Sequence, residues 1–235
     1  MPASGQFFEL SVPTEDIQES LDFYLLLGFT EIPVNDIRDH YYAAVTDGRV
    51  AIGLHTAGYE EVALSFVWPN VARQVREYED AGYAFTFVEL GIDEFHEAEL
   101  PSPDGHALRI TEARTFSRSS FAGADAMKIG RITEISLRCD DLRVAAAFWQ
   151  VAGLDAEEDP DDDDHFMTLS APGIVVGLRD DLRWQDPLLR FRSEDLQETL
   201  AALDRAGVKH KPCDDGRIIL TPEGVRLLVI GDEFM

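Results

Sequence analysis

The stretch "FELSVPTEDIQESLDFYLLLGF" occupies Phe8 to Phe29, and "TEISLRCDDLRVAAAFWQVAGL" occupies Thr133 to Leu154. Each reads as a short strand, an acidic turn, an amphipathic helix with two aromatics near its end, and a closing glycine. Each also carries a glutamate in its opening strand, Glu9 and Glu134. The offset between them (134 − 9) is 125, and it recurs from Asp16 to Asp141, Phe23 to Phe148, Gly28 to Gly153, His40 to His165 and Gly82 to Gly207. Near the end it shrinks, Gly105 matching Gly224, as a shortened loop would produce. Such sustained register marks a tandem duplication.

Working outward, the segment between the copies, "EARTFSRSSFAGADAMKIG", is rich in Ser, Ala and Gly and has no periodicity. It is expected to be a linker over 114–127, between domains at 1–113 and 128–235. Each copy divides again. In the first, Ile17, Leu21 and Tyr24 face inward on a helix that stops at Gly28. Strand candidates "HYYAAVT" and "RVAIGLH" follow, joined at Asp47-Gly48. A second strand, "EVALSFVW", leads to a helix from Asn70 with Val71, Val75 and Tyr78 inward. "AFTFVEL", "FHEAEL" and "HALRITE" then close the copy. The second copy repeats the plan through "LLRFR", a helix from Asp195, "RIILT" and "VRLLVI". The predicted unit is β-α-β-β-β, four times over.

This pattern resembles the vicinal oxygen chelate superfamily, which includes glyoxalase I, bleomycin- and fosfomycin-resistance proteins and extradiol dioxygenases. The residues that carry the resemblance are "VPTEDIQESLDFYLLLGF" and "LRCDDLRVAAAFWQVAGL", with the hairpins "PSPDGHALRI" and "LTPEGVRLLV". It implies an α+β fold of two tandem glyoxalase-like domains. Each would pair two βαβββ modules into a cupped mixed sheet, helices outside and the site on the concave face. It also implies that metal-dependent members place His, Gln or Glu ligands on the first and last strands of modules, where a divalent metal chelates adjacent substrate oxygens.

At those positions this chain has Glu9 and Glu134 on the opening strands. It has Arg109 and Leu228 four residues after the hairpin glycines, Ala63 and Leu188 on the second modules, and Gly53 and Gly177 on the closing strands. One carboxylate among such neighbours holds a divalent ion poorly. The expectation is therefore a metal-free small-molecule binding protein of the bleomycin-resistance type, with no cofactor. The alternative is a metal-dependent lyase, isomerase or extradiol-type dioxygenase, with His55 completing a divalent metal site in the first domain. Expected ligand-binding residues are Glu9, His55 and Arg109 in the first cup, Glu9 and Arg109 forming an ion pair where a metal would sit. In the second they are Glu134 with Arg179 or Arg190. His40 and His165 read as strand-edge histidines bonded to their own loops. "DPDDDDH", from Asp159 to His165, lacks the spacing of an EF-hand and reads as a solvated loop.

Composition narrows the partners. A net charge of -25 repels nucleic acid and anionic membranes. Cys139 and Cys213 have no metal-site spacing, and no apolar run approaches a membrane span, which points to a cytoplasmic monomer or homodimer. No Ser-His-Asp arrangement, Walker loop or dinucleotide fingerprint supports nucleophilic or nucleotide chemistry.

Overall fold

A computed structural model describes residues 5–33, 40–92, 95–113, 129–157 and 165–231. The linker expected over 114–127 and nearly all of the acidic loop before His165 lie outside the described residues. The first module contains β1 (Gln6–Pro13), α1 (Ile17–Leu27), β2 (Thr30–Ile32), β3 (Tyr42–Thr46) and β4 (Ala51–His55). The second contains β5 (Ala63–Trp68), α2 (Val71–Asp80), β6 (Phe87–Glu89), β7 (Glu97–Pro101) and β8 (Ala107–Glu112). The third contains β9 (Arg131–Arg138), α3 (Leu142–Val151), β10 (Asp155–Ala156), β11 (Phe166–Ala171) and β12 (Ile174–Arg179). The fourth contains β13 (Leu188–Ser193), α4 (Leu196–Ala206), β14 (His210–Cys213), β15 (Gly216–Leu220) and β16 (Arg226–Gly231).

These elements make two eight-stranded mixed sheets of identical order, β2-β3-β4-β1-β5-β8-β7-β6 and β10-β11-β12-β9-β13-β16-β15-β14. Within a module the first and last strands run parallel, and modules join through an antiparallel seam, β1 with β5 and β9 with β13. The α+β architecture of two tandem cupped sheets is thus as the duplication predicts.

Helices α1, α3 and α4 begin at a capping aspartate and α2 at Asn70. Asp16 accepts from the backbone N–H of Gln18 and Glu19, and Asp141 from those of Arg143 and Val144. Helix α1 ends at Gly28, whose φ of 101° is the left-handed conformation glycine adopts without penalty. The helices cover the convex faces and bind the halves together: Tyr78 of α2 packs on Phe148 of α3, and Phe29 on Phe191 of β13. One hydrophobic core consequently runs through both halves. Polar contacts cross the same junction, from the Ile132 backbone N–H to Asp47 and from His106 Nε2 to the Arg138 carbonyl at 2.7 Å. Among the described residues no helix is long and apolar enough to cross a membrane.

Both seams carry a β-bulge, between Phe7 and Glu9 and opposite Arg190–Phe191. A bulge re-aims a side chain beside a site, and both opening glutamates are set this way. They project onto the concave face because Gly53 and Gly177 leave room. A Cβ added at either glycine would come within 2.5 Å of the Glu9 or Glu134 carboxylate.

Candidate functional site

Strand register sets the cross-sheet neighbours of each glutamate, and residues in register share a face. In the first cup the row is Glu9, Ser65, Arg109, Glu99 and Phe87. In the second it is Glu134, Arg190, Leu228, Ile218 and Lys211.

Glu9 is 1% exposed and His55 is fully buried. His55 Nε2 lies 2.9 Å from Glu9 Oε1, which also accepts from Ser11 Oγ. The Tyr42 hydroxyl donates to Glu9 Oε2. On its other side the His55 ring meets His40, Nδ1 to Nε2, at 3.0 Å. Tyr59 packs against the His55 ring at 4.3 Å. A carboxylate buried to this depth is costly unless hydrogen bonds satisfy it, and here three side chains do.

Beside this cluster opens a cavity of about 660 Å³, lined by His40, Tyr59 and Phe87 together with Glu97, Glu99 and Arg109. The Arg109 guanidinium lies between the Tyr59 and Phe87 rings, at 4.9 and 4.5 Å, and forms ion pairs with Glu97 (2.8 Å) and Glu99 (3.1 Å). The Glu9–Arg109 ion pair expected from the sequence is therefore corrected. Both residues face the cup, but Arg109 is committed to β7 and Glu9 to His55, Tyr42 and Ser11. Carboxylates crowd the rim: burial, with Glu99 next, raises the pKa of Glu61.

The second cup repeats the frame with different chemistry. Glu134 accepts from Ser136, as Glu9 does from Ser11. Arg179 stands where His55 stands, each paired in register two residues beyond the serine, with Arg138 and Pro13 respectively. Its guanidinium meets Glu134 at 3.2 and 3.3 Å and stacks over Phe166 at 4.1 Å. Arg190 lies 4.0 Å from the same carboxylate. Leu182, Leu188 and Leu228 form a separate apolar cluster on this side, with Trp184 packed against it.

Sequence reasoning placed Glu9, His55, Arg109, Glu134, Arg179 and Arg190 on the two concave faces, but missed the rest of the first cup. His40, read as bonded to its loop, bonds to His55 instead. His165, its counterpart, likewise reaches across its hairpin, to Asp180 at 3.0 Å, so neither histidine is bonded to its own loop as read. Tyr42 and Tyr59 carried no signal of their own. Glu97 and Glu99 did, as alternating carboxylates opposite the buried Ala98 and Leu100 of β7.

No family model matches the chain, and no curated protein matches it in sequence. Solved structures do match in fold. A catechol 2,3-dioxygenase aligns with a TM-score of 0.62 at 13% identity, over 97% of this chain and 87% of that one. Homoprotocatechuate 2,3-dioxygenase from Brevibacterium fuscum aligns at 0.62 and 13%, over 96% and 71%. The 2,3-dioxygenase LapB from Pseudomonas sp. KL28 aligns at 0.61 and 16%, over 97% and 93%. The chain shares the two-domain fold of these dioxygenases. The expectation of no cofactor is corrected by this comparison, since the matching structures belong to the metal-dependent side of the resemblance. Glu9 and His55 are donors of the right type, with nearest atoms at the separation of two ligands on one ion. Among the described residues no third His, Cys, Asp or Glu joins them in a metal-holding group. The pair supplies two donors, one fewer than the three protein ligands usual in a catalytic site, and neither residue lines the cavity.

Proposed function

We propose that the first cup is the active site of a metal-dependent enzyme of the ring-cleaving dioxygenase type, with Glu9 and His55 as the protein's hold on the metal. The observation that carries this is the buried 2.9 Å approach of Glu9 Oε1 to His55 Nε2, with Glu9 at a position where the resemblance implies a ligand and His55 two residues beyond another, Gly53. A bound divalent metal supplies Lewis acidity toward two adjacent oxygens of a substrate. The remaining work belongs to the chain. His40, against His55 Nδ1, fixes the orientation of the ring. Tyr42 fixes the carboxylate. Tyr59 and the Arg109–Phe87 stack wall the cavity and exclude water from one side, and its size suits a small flat molecule. In this proposal residues 1–113 and 128–235 are the two domains, and only the first carries the chemistry.

The test is oxygen uptake. Protein loaded anaerobically with Fe(II) or Mn(II) is mixed with a panel of catechols in air. Uptake with loss of the catechol chromophore is expected, and Glu9→Gln abolishes it while leaving the fold intact. Uptake no greater than that of free metal across the panel overturns the proposal.

A further inference from the structure

The second cup departs from the first in the sign of its charge. In the first, Arg109 is matched by Glu97 and Glu99, and Glu60 and Glu89 add negative charge to the cavity wall. In the second, Arg179 and Arg190 share one carboxylate. Arg179 engages Glu134 with both Nε and Nη2. Arg190, at 4.0 Å, is beyond hydrogen-bond reach of it, and among the described residues no hydrogen bond from its guanidinium is found. Asp181 and Asp215 act on Arg190 through space without forming an ion pair with it. The Arg190 side chain is only 16% exposed, so a guanidinium without a hydrogen bond is held in a poorly hydrated place. Burial, and then the like charge of Arg179, lower the Arg190 pKa, the direction that an incoming anion would reverse.

We infer that the second cup binds a small organic carboxylate, received by Arg190 with Arg179 beside it. A guanidinium fork and a carboxylate match as two parallel N–H···O bonds, which Arg190 does not make within the chain among the described residues. Leu228 is the register neighbour of Arg190 and is buried in a cluster with Leu182 and Leu188, against which the part-exposed Trp184 packs; Trp184 is the apolar surface that a ligand body would meet. The net charge of -25 opposes anions at long range, so the contact itself must supply the affinity, and monoanions are favoured over dianions. Nothing in this inference rests on metal chemistry in the first cup.

The probe is benzoate, with benzamide as its neutral isostere, titrated into the full-length protein and followed by calorimetry and tryptophan fluorescence. Saturable benzoate binding is expected, with benzamide at least ~10-fold weaker, the order of effect that a charge-assisted pair supplies. Arg190→Met weakens benzoate by a similar factor. Arg190→Lys, which keeps the charge and removes the fork, falls between the two and answers the question if the methionine variant does not fold. No saturation by tens of millimolar benzoate, equal binding of benzamide, or unchanged affinity in the Arg190 variants would each overturn the inference, leaving the triad as a structural ion network.

Discussion

Two cups built on one plan hold their central glutamates with different partners. In the first, Glu9 lies over Gly53 with His55, Tyr42 and Ser11 as its partners. In the second, Glu134 lies over Gly177, but arginine replaces histidine and phenylalanine replaces tyrosine at the matching register positions. The frame is the same and the side chains around the carboxylate differ. Imidazole leaves a carboxylate free to share a metal, because it is neutral and donates or accepts at one point. A guanidinium occupies the carboxylate with a permanent positive charge and so fills the place of the ion. The duplicated fold thus separates what a cupped sheet supplies, a buried carboxylate in a fixed position, from what the neighbouring strand makes of it.

The largest contrast is expected from removing the two glutamates. Glu9→Ala strands buried His55, Tyr42 and Ser11 groups and should cost about 3–5 kcal/mol in chemical unfolding. Glu134→Ala acts on a side chain that is 13% exposed and should cost about 1–2 kcal/mol. Equal losses would break the comparison. Next comes Gly53→Ala, which drives a methyl group into the Glu9 carboxylate. A loss of about 1–3 kcal/mol is expected, with metal affinity falling at least ~10-fold because the carboxylate is displaced. Gly177→Ala should cost a comparable amount of stability without any effect on metal.

The smallest effect concerns the junction. Burial lowers the pKa of His106 in the folded protein below its ordinary 6.5. The unfolded chain therefore binds the proton first, and this contribution is complete above pH 6.5 and declines as pH falls through the folded value. His106→Gln should flatten the stability curve below pH 6.5. The corresponding position in the second copy is Val225, so no matching slope arises there.

Much of this was legible in the chain. The constant offset, the capping Asp16 and Asp141 and the glycines after the helices were enough to define four modules. Strands β2 and β10 were not singled out, because two or three edge residues are too few to show alternation. Side-chain partners were harder. Alternation puts Arg109 on the cup face but says nothing of its neighbour, which the β7–β8 register supplies as Glu99. His40 was read as local because its partner sits across a hairpin, where Tyr42 pairs with His55. Periodicity reveals the face of a residue, and only strand register reveals its partner.

The most direct test of the asymmetry is metal stoichiometry on the purified full-length protein, by calorimetric titration with Mn(II) or Fe(II) followed by elemental analysis. One ion per chain is expected, lost in His55→Ala and retained in Glu134→Gln. Two ions per chain, none at all, or one that survives His55→Ala would contradict the assignment of the metal to the first cup.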